Sequence, residues 1–238
     1  MKLTGVYDNT ARREELRSGW GFSLLVETGS KRILFDTGAD LAVLRHNLKE
    51  LAIPPSSLDG IVLSHPHCDH VGGLSAVLKK NPDLTVVFTE SFPASTNQKI
   101  ESYGAKAVSS REPRELCENI WTTGELTVSY RNRELPEQGL ILEYSRGPVL
   151  VSGCAHPGIT EMVLRVKEVT GIAPYLVIGG FHLGSKSTAE LRRVVNELKG
   201  SVSQLAPTHC TGNEAIRYIR KVFGEDCLDF GAGAQIEI

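Results

Sequence analysis

The sequence predicts a layered α/β protein, and three observations support this prediction. Apolar strand-like segments alternate with helical segments along the 238 residues, without internal repeats or low-complexity tracts. Several of these strands end in loops rich in histidine and glycine, and functional residues of layered α/β proteins usually lie in such strand-end loops. Hydrophobic residues make up 41% of the chain and charged residues 23%, which suffices for a sizeable core. We therefore expect one domain spanning residues 1–238.

The first half of the chain shows strands and helices that lead into a histidine-rich loop. Strands are predicted from apolar or β-branched runs bounded by turn residues, and helices from apolar residues at a spacing of three or four. The predicted elements are strands at Trp20–Glu27, Lys31–Phe35, Ile61–Leu63 and Leu84–Phe88 and helices at Asp40–Leu51 and Leu74–Lys80.

The pattern weakens between residues 89 and 136, where short strands, prolines and many charges alternate. We interpret this stretch as a variable covering region that contributes part of a substrate pocket. Its arginines are expected to form a solvated surface, with an anion-binding role as the alternative. Regular elements then return, as strands at Leu140–Tyr144, Val149–Ser152, Tyr175–Ile178 and Ala234–Ile238 and helices at Ile159–Glu168, Thr188–Leu198 and Asn213–Val222.

The segment His65–His70, with the sequence His-Pro-His-Cys-Asp-His, is the strongest functional motif in the chain. In an extended segment alternate side chains point the same way, so His65, His67 and Asp69 can project together. Two imidazoles suit one transition-metal ion, and a carboxylate with an imidazole, here Asp69 and His70, suits a second. Surface histidines in a polar loop are the alternative, but this density of ligands before a Gly-Gly pair favours metal binding.

Three later histidines, His156, His182 and His209, each follow an apolar strand-like segment and have glycines nearby. Any one of them can equally be a hydrogen-bonded turn residue. However, six of the seven histidines in the chain occupy comparable loop positions, which favours one shared site. His46 is the exception, because it lies on a predicted helix and is expected to face solvent.

Composition argues against several classes of function. A net charge of −2 gives no basic surface for nucleic acid. No apolar run approaches the roughly 20 residues that span a membrane, and the first residues do not resemble a signal peptide. A cytoplasmic location follows as the default, the cysteines are expected to be reduced thiols, and the expected partner is a small-molecule substrate. Of the five, Cys68, Cys154 and Cys210 stand beside histidines, whereas Cys117 and Cys227 are predicted to be packing residues.

These motifs resemble the metallo-β-lactamase superfamily. The resemblance rests on Asp36-Thr37-Gly38 after a strand, on the His-x-His-x-Asp-His motif within Ser64–Leu74, and on a late histidine at a strand end. Segments Ser152–Ile159, Gly179–Leu183 and Pro207–Gly212 resemble a narrower group within it, related to the archaeal dihydropterin ribofuranosylaminobenzene phosphate synthase. The resemblance implies an αββα sandwich of two mixed sheets with outer helices and metal ions at one edge.

The resemblance also implies metal ions, with two Zn²⁺ as the expectation and Mn²⁺ or iron as alternatives. The implied ligands are His65, His67 and His156 for the first metal and Asp69, His70 and His209 for the second. His156 replaces a family histidine that is missing, since the chain has no histidine from residue 71 to 155. The family aspartate that bridges the metals is also missing, where the chain reads Ser152-Gly153-Cys154. Cys154 is either a thiolate ligand or a buried small residue, and we favour the second.

The favoured hypothesis is a metal-dependent hydrolase in which metal-activated water attacks an ester or phosphoester of a small molecule. Asp69 would orient the water, and His182 would act as proton donor or oxyanion partner. Asp36 is expected to support the first histidine loop rather than to bind metal. One alternative is a pterin-pathway synthase of the methanopterin type, which would use the same ligands, and another is a redox or metal-binding protein on the same fold.

Overall fold

A computed structural model describes all 238 residues. They divide into two compact units: unit 1 contains Met1–Arg111 together with Phe230–Ile238, and unit 2 contains Glu112–Asp229. Each unit holds one large mixed sheet with its own helices and core. The single domain expected over residues 1–238 therefore stays a prediction, as does the covering role of residues 89–136, which are shared between the units. No helix has the length and apolar character needed to cross a membrane.

Unit 1 contains seven strands that form one sheet. They are β1 (Lys2–Tyr7), β2 (Ser23–Glu27), β3 (Arg32–Phe35), β4 (Gly60–Val62), β5 (Thr85–Thr89), β6 (Lys106–Ser110) and β15 (Gln235–Glu237). Their order is β15-β1-β2-β3-β4-β5-β6, antiparallel from β15 to β3 and parallel from β3 to β6. The sequence did not predict β1, because Thr4 and Gly5 interrupt its apolar pattern.

The helices of unit 1 are α1 (Leu41–Glu50), α2 (Cys68–Val71), α3 (Leu74–Leu78) and α4 (Ser95–Glu101). The predicted helix at Asp40–Leu51 is confirmed. It begins where the Asp40 side chain accepts hydrogen bonds from the amides of Ala42 and Val43, which have no partner within the helix. Leu44 and Leu48 then pack into the core of unit 1.

The Gly-Gly pair after the histidine motif allows α2 to pack closely on the turn that follows β3. A Cβ atom on Gly72 would lie 2.0 Å from the carbonyl oxygen of Ala39, and one on Gly73 would lie 2.2 Å from that of Thr37. Both neighbours are backbone atoms, which cannot rotate away. The two glycines therefore hold the histidine loop against the turn that carries Asp36.

Replacing Gly72 with alanine should lower the free energy of unfolding by about 2–4 kcal/mol, because the backbone must shift to relieve the overlap. Urea unfolding followed by circular dichroism measures this change. Gly29→Ala is the matched control, since a Cβ there meets no atom within 4 Å and should change stability by less than about 0.5 kcal/mol. Equal stability of the two variants would contradict the proposed close packing.

Unit 2 contains eight strands. They are β7 (Glu115–Cys117), β8 (Ile120–Thr122), β9 (Leu126–Tyr130), β10 (Arg133–Glu137), β11 (Leu140–Leu142), β12 (Val149–Ser152), β13 (Leu176–Gly180) and β14 (Gln204–Thr208). Six form a mixed sheet in the order β14-β13-β12-β11-β8-β7, while β9 and β10 form a separate antiparallel hairpin. The strands β12, β13 and β14 are mutually parallel, so their carboxyl ends meet at one edge of this sheet.

The helices of unit 2 are α5 (Ile159–Thr170), α6 (Thr188–Lys199) and α7 (Asn213–Phe223), each close to its predicted limits. Helix α6 begins with a capping box, in which the Ser187 side chain accepts from the Glu190 amide and the Glu190 side chain accepts from the Ser187 amide. The three helices pack apolar residues on the large sheet to form the core of unit 2. Parallel strands joined by these helices thus fix the loops that carry the later histidines.

Candidate metal centre

The ligand candidates of unit 1 come from loops after two neighbouring parallel strands. Strands β3 and β4 pair in register, with Phe35 opposite Val62. Asp36 follows directly after β3, and Ser64 and His65 follow β4 by two and three residues. Since both chains leave the sheet at the same edge, the Asp36 turn and the histidine loop are brought into contact.

The Asp36 carboxylate organises the histidine loop through three hydrogen bonds. One oxygen accepts from the Ser64 amide at 2.7 Å, and the other accepts from the Ser64 hydroxyl at 2.7 Å and lies 2.6 Å from His70 Nδ1. The Ser64 hydroxyl also lies 2.8 Å from His65 Nδ1. All four side chains are fully buried. This network fixes the ring orientations of His65 and His70 from behind, at the position expected for Asp36.

The histidine motif of unit 1 brings its side chains together, but Asp69 and His70 lie in helix α2 and not in the extended segment that the sequence predicted. The His65 ring lies 4.8 Å from the His67 ring and 4.1 Å from the His70 ring, measured between centroids. One carboxylate oxygen of Asp69 lies 3.8 Å from His70 Nε2 and accepts a hydrogen bond of 2.8 Å from the Trp20 indole. Trp20 was not predicted to support the site, because Asp69 lies 49 residues further along the chain.

In unit 2 the loops after β12, β13 and β14 bring together His156, His182 and His209. Potential ligand atoms of Cys154, His156 and His182 lie within 4.8 Å of one another, and so do those of Cys154, His209 and Cys210. Cys154 belongs to both groups and is buried. The three later histidines therefore meet around one thiol, at the position where the resemblance leads one to expect a bridging aspartate.

Glu137 supports this thiol-containing loop and was missed by the sequence analysis. Its buried carboxylate accepts three consecutive backbone hydrogen bonds, from the amides of Cys154 at 2.8 Å, Ala155 at 2.7 Å and His156 at 2.7 Å. Charge-assisted hydrogen bonds of this kind are among the strong ones in proteins. No motif marks Glu137, since its partners are backbone groups 17 to 19 residues further along the chain.

The hydrogen bond between His182 and Cys210 shifts the pKa values of both groups. It raises the pKa of His182, against the opposing effect of burial. Burial by itself would raise the pKa of the Cys210 thiol, but hydrogen bonds with Cys154 and His182 and the nearby charge of His209 lower it well below its usual value. The contact between this imidazole and this thiol therefore shifts the two pKa values in opposite directions.

Backbone strain is concentrated in these loops. Asp36, Ala155, His182 and His209 all have φ between 49° and 58°, a left-handed conformation that residues other than glycine rarely adopt. Each costs on the order of 1–3 kcal/mol and persists only where the surroundings impose it, which is common at functional sites. The four residues fall at the ends of β3, β12, β13 and β14 or in the loops that follow.

An aromatic residue at the end of β9 packs on the histidines of unit 2. The Tyr130 ring centroid lies 4.7 Å from that of His156 and 6.0 Å from that of His182, and the Arg131 guanidinium lies 5.3 Å from the Tyr130 centroid. Both residues belong to the stretch predicted to be variable, where Tyr130 received no role and Arg131 was expected to be part of a solvated surface. Their position makes the β9–β10 hairpin part of the surroundings of these histidines.

The donors in both units fit a divalent transition metal. His65 and His70 use Nδ1 for hydrogen bonds to Ser64 and Asp36, the arrangement typical of histidines that coordinate through Nε2. Imidazole, carboxylate and thiolate groups are the ligands that zinc prefers. Of the two cysteines predicted to be packing residues, Cys227 is buried and Cys117 is half-buried. Cys68, within the histidine motif, is exposed.

Comparisons with known proteins agree with these features. The sequence profile described as "Metallo-beta-lactamase superfamily" matches residues 21–193. The chain is 32% identical to 7,8-dihydropterin-6-methyl-4-(β-D-ribofuranosyl)-aminobenzene-5′-phosphate synthase of Methanocaldococcus jannaschii, over 91% of this chain and 89% of that protein.

Solved structures share the fold along the whole chain. Tm1679, a metal-dependent hydrolase of the β-lactamase superfamily, is 26% identical with a TM-score of 0.81, covering 100% of this chain and 99% of the other. The metallo-β-lactamase fold protein YhfI from Bacillus subtilis is 16% identical with a TM-score of 0.71, covering 99% of both chains. The predicted α/β fold with two mixed sheets and helices is thereby confirmed. The chain belongs to the metallo-β-lactamase superfamily.

Proposed function

We propose that the protein is a metal-dependent hydrolase that acts on an ester or phosphoester of a small molecule. The observation that carries this proposal is the buried network in which Asp36 and Ser64 fix the rings of His65 and His70. Carboxylate groups behind histidines are characteristic of metal ligands, whose orientation and basicity they set. Membership of a superfamily that includes a metal-dependent hydrolase at 26% identity supports the same conclusion.

The proposal keeps the ligand set expected from the sequence, with two Zn²⁺ ions and with Mn²⁺ or iron as alternatives. The residues assigned to metal binding are His65, His67, Asp69, His70, His156 and His209. Cys154 joins both donor groups of unit 2, so a thiolate ligand and a buried packing residue both stay hypotheses for it. Metal analysis of a Cys154→Ser variant separates them, because only loss of a thiolate ligand changes the metal content.

The bound metal ions would supply Lewis-acid activation of water and of the oxygen at the bond to be cleaved. Asp69 would orient the attacking water, and its hydrogen bond from the Trp20 indole holds one carboxylate oxygen in place. His182 would donate a proton to the leaving group or stabilise the developing negative charge. Two features support this role: its Nδ1 is buried without a hydrogen-bond partner, and the contact with Cys210 raises the pKa of His182.

A pterin-pathway synthase is the second candidate function, favoured by the identity of 32% over 91% of the chain to a protein named as such a synthase. That protein's name includes a 5′-phosphate group, which supports a phosphorylated substrate for the present chain. Action on a small molecule in the cytoplasm, rather than on nucleic acid or membranes, stays a prediction.

The first experiment measures metal content and turnover together. His65→Ala and His209→Ala should each lose at least half of the bound metal, measured by elemental analysis of the purified protein, and their turnover should fall at least about 100-fold. His46→Ala is the matched control, because His46 lies on α1 outside the ligand set. Full metal occupancy with unchanged turnover in both site variants would overturn the ligand assignment.

The second experiment identifies the reaction. The metal-loaded protein is assayed with a panel of phosphodiesters and carboxylic esters, and separately with a dihydropterin and a phosphorylated aminobenzene riboside. Hydrolysis that disappears in His65→Ala supports the hydrolase, whereas condensation of the pterin without hydrolysis supports the synthase. An iron-type absorption spectrum with neither activity would favour the redox or metal-binding alternative.

A further inference from the structure

A cavity in unit 1 has no part in the proposed metal chemistry. It lies between α1, α3 and the loop after α1, and its volume is about 810 Å³. Small-molecule sites in proteins typically measure roughly 300–1,000 Å³. None of its lining residues belongs to the proposed ligand set or to the Asp36 network. The kind of ligand that the cavity can bind must therefore be inferred from the residues that line it.

The floor and one wall of the cavity are apolar and rigid. Leu48 and Ile53 form a floor that is almost fully buried. Pro54 and Pro55 form one wall, and their rings restrict the backbone in the absence of any ligand. The cavity is thus preformed and suited to a flat aromatic or aliphatic group.

Space for a ligand exists because three alanines, Ala42, Ala52 and Ala76, line the cavity. Ala52 lies just after the end of α1 with a φ of 54°, a position where glycine is the usual residue. Its amide donates to the Lys49 carbonyl at 3.0 Å, and the Ile53 amide donates to the Leu48 carbonyl at 2.8 Å, which closes the helix end.

Positive charge surrounds the opening. The charged residues that line the cavity are Arg17, Arg45, Lys49 and Lys80, with no carboxylate among them. Lys49 has an acidic partner, Glu50, at 3.6 Å. Arg17, Arg45 and Lys80 make no ion pair, although the chain as a whole has a net charge of −2. This concentration of unpaired cations around an apolar floor complements one kind of ligand, an anion with an apolar body.

We propose that this cavity binds a small organic anion, whose carboxylate, sulfonate or phosphate group is held by Arg45 and Lys80. Its aromatic or aliphatic body would lie on Leu48 and Ile53. Binding at this site requires neither the metal ions nor the proposed hydrolase activity.

The test uses two fluorescent probes that share an aromatic body. The first, 8-anilinonaphthalene-1-sulfonate, carries a sulfonate, and the second, N-phenyl-1-naphthylamine, is neutral. The sulfonate probe should bind saturably at one site and at least about tenfold more tightly than the neutral one, since charge-assisted contacts contribute on that scale. Equal affinity of the two probes would overturn the role of the cations.

Substitutions in and beside the lining of the cavity show whether the probe binds there. Lys80→Gln should weaken binding of the sulfonate probe about tenfold, whereas Lys79→Gln, which removes an exposed neighbouring lysine that does not line the cavity, should leave it unchanged. Ala42→Trp should block both probes by filling the cavity from its exposed edge. Its matched control is Ala189→Trp, at the same exposed second position of helix α6.

Three further outcomes would overturn the proposal. One is equal binding to the Lys79→Gln and Lys80→Gln variants, and another is undiminished binding to Ala42→Trp. The third is a concentration-dependent dimer, measured by sedimentation, that excludes the probe and is lost in Ala42→Trp, because the occupant would then be a second copy of the chain. Each of these measurements is made on the full chain and is independent of catalysis.

Discussion

Replacing Glu137 with alanine should lower the free energy of unfolding by about 3–5 kcal/mol, the largest loss of stability that we expect from a single substitution. The change leaves the amides of Cys154, Ala155 and His156 without their buried acceptor. Each unsatisfied buried donor costs about 1–3 kcal/mol, and relaxation of the loop toward water recovers part of the sum over three amides. Urea unfolding measures the change.

Glu137→Gln provides a milder test, because its remaining oxygen can still accept from two of the three amides. We expect a loss of about 1–3 kcal/mol together with reduced metal content, since the backbone of His156 loses its acceptor. Glu134→Gln is the matched control on the same strand, where the side chain is exposed. Wild-type stability in Glu137→Ala would show that the three hydrogen bonds do not hold the loop.

Asp36→Asn should weaken metal binding about 10- to 100-fold, the range observed when outer partners of metal-bound histidines are replaced. Asparagine has one accepting oxygen, so it cannot serve both the Ser64 amide on one side and the Ser64 hydroxyl with His70 on the other, and the rings of His65 and His70 lose their fixed orientation. Competition with a coloured zinc chelator measures the affinity.

A control variant and a measurement at saturating Zn²⁺ show whether the loss of affinity is specific to Asp36. Asp83→Asn, at an exposed aspartate of the same unit, should bind metal as the wild-type protein does. Turnover of Asp36→Asn at saturating Zn²⁺ should recover in part, because added metal compensates for weaker binding. An unchanged zinc affinity would refute the supporting role of Asp36.

Local patterns in the sequence were sufficient to predict most of the fold. The helix at Leu41–Glu50 was predicted because its leucines, its Asp40 cap and its length all agree. The strand predicted from Trp20 begins only at Ser23, because Gly21 takes a φ of 145° where the chain passes close to the Asp69 carbonyl. β1 was missed, since its place in the sheet depends on pairing with β15 at the other end of the chain.

The functional residues were predictable only where they form a recognisable motif of neighbouring residues in the sequence. The motif His65–His70 was predicted from the spacing of its ligands, and the supporting Asp36 from the resemblance to the superfamily. The roles of Glu137, Tyr130 and Trp20 were not predicted, because each acts through a contact with residues distant in sequence. Spacing along one strand carries no information about such contacts, so they require the folded structure.

The β9–β10 hairpin has a consequence for how this protein could be redesigned. Its first strand ends at Tyr130, which packs on His156 and His182, and its second strand ends at Glu137, which holds the backbone of His156. Exchanging the hairpin for one of different shape would therefore also release the histidine loop, unless the replacement presents a carboxylate at position 137. A redesigned hairpin must therefore preserve both contacts with the histidine loop.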